Sequence, residues 1–382
     1  MGIRKGLGSG SHRRNTSPGA ILITFELSEE QKMAQSAMQD FASKVLGPAA
    51  QKADRAAHAD DATLDELWES GIVQSQIDQP EADRSAVLNA IILEELAAGD
   101  ASLALSLAAP LGYVRAVAQQ GSAAQRAALS EFAGSDRFRA AAIALMEPHF
   151  GWNPRALKTK ATRVAGGWQL DGAKTMVPFA ERLDKLLVIA ASPEGDKAFI
   201  LDGKAAGLSV SSRHNTLGLR CLQMGDVRLQ GVHVAEANVL GEGAAVDVQA
   251  IIDSARVGLA AVMTGLSRGI TDYVIPYTKD RVAHGSALAR KQVVAFRIAD
   301  MHIETNAMRW MSWRAACDIE KEAADATRSA QLAYTYAAGR CMSIADEAVQ
   351  AFGGHGYVRA HPIEMWYRNA RVLGMLEGLA AV

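Results

Sequence analysis

A chain of 382 residues, 49% hydrophobic and 21% charged, is long enough to bury a large core and has room for two or three structural units. Its formal net charge of −2 gives no electrostatic reason to expect nucleic acid or anionic lipid as a partner. Cys221, Cys317 and Cys341 form no CxxC pair and no disulfide framework, which suits a reducing compartment; the nine histidines show no HExxH or Cys/His clustering, so no metal is expected. No apolar run is expected to approach the roughly 18–20 residues that cross a bilayer.

Residues 1–26 read as a disordered basic arm or tag. They are rich in Gly, Ser and Arg, with no acid before Glu26. That pattern leaves a cytoplasmic location open, or the mitochondrial matrix if the arm is a transit segment. Residues 27–140 have a helical period. Ser28 with Gln31 three positions on has the spacing of a capping box, and Met33, Ala37, Phe41 and Val45 predict one buried stripe. Two apolar helical stretches follow, broken near Gly99 and Asp100. Residues 141–244 change to a period of two. "TRVAGGWQLDG" predicts a hairpin turning at Gly166 and Gly167, and Gly231 interrupts an alternating strand as a bulge would. A small, mostly antiparallel sheet or barrel is expected. In residues 245–382 the helical period returns in four stretches, enough for a four-helix bundle. The fold class is therefore mostly α with a small central β domain.

"QAFGGHGYVRAHP", Gln350 to Pro362, carries a glycine pattern reminiscent of a phosphate cradle. A dinucleotide fingerprint must follow a strand and open a helix; Gly353, Gly354 and Gly356 instead follow a long helical run. From spacing alone the stretch is a helix end and turn, with His355 and His361 as turn residues.

The chain resembles the flavin-dependent acyl-CoA dehydrogenases from about Leu27 to Gly378. "YTKDRVAHGSALARKQVVAFRIADM" and "QAFGGHGYVRAHPIEMWYRNARVLGMLEG" carry the strongest likeness, supported by "EELAAGDASLALSLAA" and "LGLRCLQMGDVRLQGVHVAEANVLGEG". The resemblance implies an N-terminal helical domain, a middle β domain and a C-terminal four-helix bundle. It implies FAD as cofactor and α,β-dehydrogenation of an acyl-CoA to the 2-enoyl-CoA. Glu377 would abstract the α proton. Arg281, Gln292, Gln350, Gly353 and Gly354 would contact FAD, typically in a neighbouring subunit, and Met146 and Pro178 would border the flavin. Asp253, Arg256, Trp152 and Gly378 would line the substrate site, with Asp253 the one carboxylate near enough in sequence logic to replace Glu377. An electron-transferring flavoprotein would reoxidise the flavin, in a homo-oligomer or in a hetero-oligomer with a related subunit.

The departures from the family pattern cluster around the flavin ring. Met146 stands for a Thr, and Trp152 and Asn153 stand for a Ser–Asp pair. Pro178 replaces a hydroxyl residue and offers neither hydroxyl nor N–H. A Gly-rich loop is shortened to "QPEADRSAV", His284 replaces an aromatic, Asn369 an Asp, and Leu379 a Thr. Phe179 and Trp152 are expected to wall the ring. The half-site facing a neighbour is thus kept better than the chain's own, which leaves two further readings: a subunit completing a partner chain's FAD site, or a low-flavin relative that binds CoA esters.

Overall fold

The computed structural model describes residues 26–78, 85–242 and 244–382. Nearly all of the basic arm, and the part of the shortened loop at 79–84, lie outside the described residues.

The first helix, α1 (Glu29–Phe41), begins where its sequence said it would. The Ser28 hydroxyl accepts from the Gln31 N–H at 3.2 Å, and Gln31 Oε1 accepts from the Ser28 N–H at 2.9 Å. The buried stripe is not the expected one. Met33 is 74% exposed and Ala37 is exposed, while Ala42, Leu46 and Ala50 are buried across a π-turn at Ala42–Leu46 and into α2 (Gly47–Ala56). The contact surface explains the shift: a Cβ on Gly99 would lie 2.7 Å from the Ala42 carbonyl oxygen, so the chain is pressed down at Ala42.

Helices α3 (Asp61–Glu69) and α4 (Ile72–Asp78) lead to α5 (Ala86–Gly99) and α6 (Ala101–Gln120), and α7 (Ala123–Ala133) closes the region. Asp100 separates α5 from α6 as expected and caps the latter, accepting from the Leu103 N–H at 2.8 Å. Burial pushes its carboxyl up to about 7. One expectation needs correction: α6 and the later helix at Val248–Asp280 are both long and apolar enough to cross a membrane. Their apolar windows are 100% and 94% buried inside the protein, so the apolarity serves packing.

The middle region is a seven-stranded sheet in the order β1-β4-β2-β3-β7-β6, with β5 also on β4. Its strands are β1 (Ala141–Ala144), β2 (Lys160–Val164), β3 (Gly167–Val177), β4 (Lys185–Ser192), β5 (Gly195–Asp202), β6 (Leu208–Arg213) and β7 (Gly225–Ala235). The sheet is mixed rather than mostly antiparallel at its β4 end, because β1 and β2 both run parallel to β4. The β2–β3 hairpin turns at Ala165 and Gly166, with Val164 paired to Gly167. Gly231, at φ +61°, sits where β7 spends one residue more than β3 between two paired positions, which makes it the predicted bulge.

Helix α8 (Val248–Asp280) opens the last region. A two-residue hairpin, β8 (Val282–Ala283) with β9 (Ser286–Ala287), links it to α9 (Gln292–Glu320), followed by α10 (Ala326–Phe352) and α11 (Ile363–Leu373). The predicted fourth long helix is thus short. The long fourth wall of the bundle is α5, which packs on α8 and α9. A Cβ on Gly265 would lie 2.1 Å from the Glu94 carbonyl oxygen, so α5 and α8 touch backbone to backbone there.

Candidate functional site

The chain reaches Glu377 through a turn that follows α11, fixed by the Tyr334 hydroxyl donating to the Leu376 carbonyl at 2.6 Å. The Glu377 carboxylate, 13% exposed, accepts from Arg256 Nη2 at 3.1 and 3.3 Å. Arg256 is buried on α8, and its Nη1 lies 3.6 Å from Asp253 Oδ1 one helical turn earlier. Asp253 is also held by Gln249 Nε2 at 2.8 Å and by the Thr327 hydroxyl at 2.6 Å. Both its oxygens are thus engaged by side chains other than Arg256, whereas the Glu377 oxygens meet Arg256 alone among the side chains described. Arg256 Nε is buried without a hydrogen-bond partner among the described residues.

The sheet meets this cluster at the loop after β1. The Glu377 N–H points at the Met146 sulfur at 3.3 Å, a weak acceptor. Gly378, at φ +79°, has room for no side chain: a Cβ would lie 2.8 Å from that of Leu145. Glu147 anchors the loop. It takes the Lys158 N–H at 2.7 Å, the Thr159 N–H at 2.8 Å and the fully buried Lys174 ammonium at 3.0 Å. Burial alone would raise the Glu147 carboxyl, but the Lys174 charge and the two N–H donors outweigh it and hold it at about 2. Burial pulls Lys174 down to about 8 against the opposing pull of Glu147. Thr175 N–H donates to the Met146 carbonyl at 2.9 Å and so aligns β3 beside the loop.

Pro178 is buried at the end of β3. Phe179 does not wall a ring site: it is 1% exposed, its ring edge-on to Phe138 with centroids 5.2 Å apart. Its φ of +53° turns it into the core, where its N–H donates to the Leu222 carbonyl at 2.8 Å. Trp152 is half-buried, and its indole N–H is buried with no partner among the described residues.

Arg281, Gln292, Gln350, Gly353 and Gly354 are all exposed and form a second group. The Arg281 N–H donates to the Tyr277 carbonyl at 2.9 Å. The Tyr277 ring stacks on Phe352 at 3.7 Å, and its hydroxyl bonds His355 Nδ1 at 2.8 Å. The α8 end therefore lies against the glycine turn that ends α10. His361 is bonded likewise to the Tyr273 hydroxyl at 2.9 Å, so both histidines hold the turn to α8. The Arg297–Glu347 ion pair at 2.6 Å joins the start of α9 to the end of α10, which brings Gln292 and Gln350 to the same end of the bundle. Among the described residues no hydrogen bond or ion pair joins this group to the Glu377 cluster.

This second group fits a phosphate-bearing cofactor. Gly353, at φ +55°, and Gly354 have nothing within 4 Å of a would-be Cβ, so their backbone is open to close approach. The Arg281 guanidinium has no ion-pair partner among the described residues. Near the first group, the unpaired Trp152 N–H is a donor suited to a bound ring. Sequence reasoning did not single out Met176, at φ +56° on β3, or Arg115, buried on α6. The latter had a signal: it is the one charge in the apolar run "ASLALSLAAPLGYVRAVA".

Helices, a curled mixed sheet and helices again, with a carboxylate where sheet and bundle meet, place the chain in one architectural class. The structure of butyryl-CoA dehydrogenase from Megasphaera elsdenii matches it with a TM-score of 0.84 at 27% identity, covering 93% of this chain and 96% of that one. Three family models, the N-terminal (28–133), middle (142–232) and C-terminal (241–382) domains of acyl-CoA dehydrogenase, match in order, so this chain belongs to the acyl-CoA dehydrogenase family. The mitochondrial short-chain specific acyl-CoA dehydrogenase of Mus musculus is 27% identical over 394 residues, 100% of this chain and 93% of that protein. The caffeyl-CoA reductase–Etf complex subunit CarC of Acetobacterium woodii is 32% identical over 248 residues, 63% of this chain and 65% of that subunit.

Proposed function

We propose that this protein is an FAD-dependent acyl-CoA dehydrogenase that converts an acyl-CoA thioester to its 2-enoyl-CoA, with Glu377 as the base. The observation that carries the reading is the Glu377 cluster, in which a shielded carboxylate is paired with Arg256 while its own N–H rests only on sulfur. Arg256 holds the carboxylate in place, aimed to take a proton from the carbon next to a thioester carbonyl. As that proton leaves, negative charge grows on the carbonyl oxygen. The Glu377 N–H, held now by a poor acceptor, is the donor this chain can offer there. FAD, when bound, would accept the hydride from the β carbon.

Within this reading Trp152, Met146 and Pro178 bed the ring, and Gly378 lets the turn that carries the base pack closely on Leu145 beside the substrate site. Arg281, Gln292, Gln350, Gly353 and Gly354 serve the cofactor seated in a second copy; among the described residues no hydrogen bond or ion pair ties them to Glu377. Assembly of copies is supported by exposed apolar side chains on α9 and α10: Val293, Phe296, Ile303, Trp310 and Leu332. An electron-transferring flavoprotein as acceptor is supported by the name of the Acetobacterium relative. A second reading, a subunit that completes a related chain's FAD site, draws on Met146 and Pro178, which offer the ring no hydroxyl.

The test is to purify the chain alone, quantify FAD, and follow anaerobic bleaching with straight-chain, branched and ω-carboxyl acyl-CoAs. About one FAD per chain, bleaching with at least one thioester, and a loss of two or more orders of magnitude in Glu377→Gln with FAD retained are expected. A colourless protein that takes up FAD only with a related chain would replace the first reading by the second.

A further inference from the structure

Three shielded ionisable side chains meet at the base, two acids and one cation. The Glu377, Arg256 and Asp253 side chains are 13%, 7% and 5% exposed, and the guanidinium stands between the two carboxyl groups. Among the described residues no other cation forms an ion pair with either acid. The further partners of Asp253 are neutral: Gln249 Nε2 donates to its Oδ1, and the Thr327 hydroxyl, in the first turn of α10, donates to its Oδ2. Those bonds fix Asp253 without cancelling a charge. Tyr334, also from α10, directs its hydroxyl to the Leu376 carbonyl instead.

Arg256 does not treat the two acids alike. Its Nη2 reaches both Glu377 oxygens at 3.1 and 3.3 Å, whereas its Nη1 stops 3.6 Å from Asp253 Oδ1, beyond hydrogen-bond length. Its Nε is buried with no hydrogen-bond partner among the described residues. The guanidinium is therefore engaged with Glu377 and only adjacent to Asp253. A proton arriving on Glu377 removes the charge that holds Arg256 there. A buried cation that loses its partner is strongly destabilised, and that cost resists the proton transfer itself. Asp253 can relieve it. It is fixed one helical turn away, a fraction of an ångström beyond hydrogen-bond reach, and carboxylate oxygens accept more than one bond each.

We propose that Asp253 is a positioning residue for proton abstraction: it takes over Arg256 as Glu377 accepts the α proton, so that the buried cation has a carboxylate partner before and after the transfer. This rests on the reading of Glu377 as the base. In the step the bond between the α carbon of the thioester and its hydrogen breaks, and the proton moves to a Glu377 carboxylate oxygen. The electron pair passes into the thioester carbonyl, and Arg256 turns from Glu377 to Asp253. Before the step one guanidinium is shared by two carboxylates; after it, one ion pair remains beside a neutral acid. Thr327 and Gln249 serve the same end by holding Asp253 where Arg256 can reach it.

The test is hydrogen–deuterium exchange at the α carbon of acetyl-CoA and phenylacetyl-CoA in D2O, catalysed by the FAD-loaded protein and followed by NMR. Neither thioester has a β hydride to give, so exchange reads proton abstraction alone. Asp253→Asn, close in shape but uncharged, is expected to lower the saturating exchange rate at least about tenfold, with the half-saturating concentration within about threefold of wild type. Asp253→Glu should restore most of the rate. In an Arg256→Gln background, where no cation needs a partner, Asp253→Asn should change the rate less than about threefold. If Asp253→Asn does not fold or hold FAD, Thr327→Val carries the test: it removes a neutral donor and leaves the Asp253 charge, so the rate should stay within about threefold, and a tenfold fall would refute the proposal. An Asp253→Asn rate close to wild type, a loss confined to the half-saturating concentration, Asp253→Glu as slow as Asp253→Asn, or equal losses in both backgrounds would each overturn it. The dehydrogenase reading fails separately, in a wild type that exchanges the α hydrogen yet is bleached by no thioester. A wild type that does neither overturns both.

Discussion

Replacing Lys174 by Met tests how the β1 loop is held against the Glu377 turn. The substitution keeps most of the side-chain volume but leaves the Glu147 carboxylate buried without its cation, and it strips the Leu145 carbonyl of its donor, Lys174 Nζ at 3.1 Å. Removing one partner of a buried ion pair costs about 3–5 kcal/mol. The Lys158 and Thr159 N–H donors still serve Glu147, which favours the lower end, and the orphaned carbonyl adds about 1 kcal/mol, so about 4 kcal/mol is expected. Urea unfolding followed by tryptophan fluorescence should show a midpoint lower by roughly 1–2 M at an m-value of about 2–3 kcal/mol/M. The double variant Glu147→Gln with Lys174→Met should recover most of the loss, because no unpaired charge remains. A single variant within about 0.5 kcal/mol of wild type would refute the reasoning, since it would mean that water reaches Glu147 freely.

The same carboxylate sets an acid limit. Its folded pKa, about 2, lies below its ordinary 4.5, so the unfolded chain binds more protons between those values. The Glu147 contribution, about 3 kcal/mol, should be present above pH 4.5 and fade as pH falls toward 2; comparing wild type with Glu147→Gln from pH 6 to 3 measures it, and a constant difference would contradict it. Gly265→Ala should prevent folding or cost several kcal/mol, because its Cβ would meet the Glu94 carbonyl at 2.1 Å. Gly339→Ala on exposed α10, with nothing within 4 Å, should instead stabilise by about 0.5–1 kcal/mol in thermal melts. Ile303→Asp on the exposed α9 face should shift the protein to a smaller species in light scattering, and an unchanged mass would remove that face from the assembly.

Much of this protein is local and therefore legible in its residues. Ser28 with Gln31, and Asp100 with Leu103, cap helices through partners three positions away, and Gly231 carries a conformation that few other residues accept. The family motifs likewise pointed to Glu377, Arg281 and the glycine turn after α10 as site candidates. What they could not supply is which groups meet. Arg256 and Glu377 are 121 positions apart, and Asp253 and Thr327 are 74 apart. Phe179 looked like a ring wall until the fold turned it into the core. The stripe on α1 was misplaced because Gly99, on another helix, decides which of its sides is pressed inward. Caps and turns close over a few residues, and their energies are set by the residues themselves. Which groups meet between α5 and α8 depends on how closely two helices approach, and only the packed structure decides that.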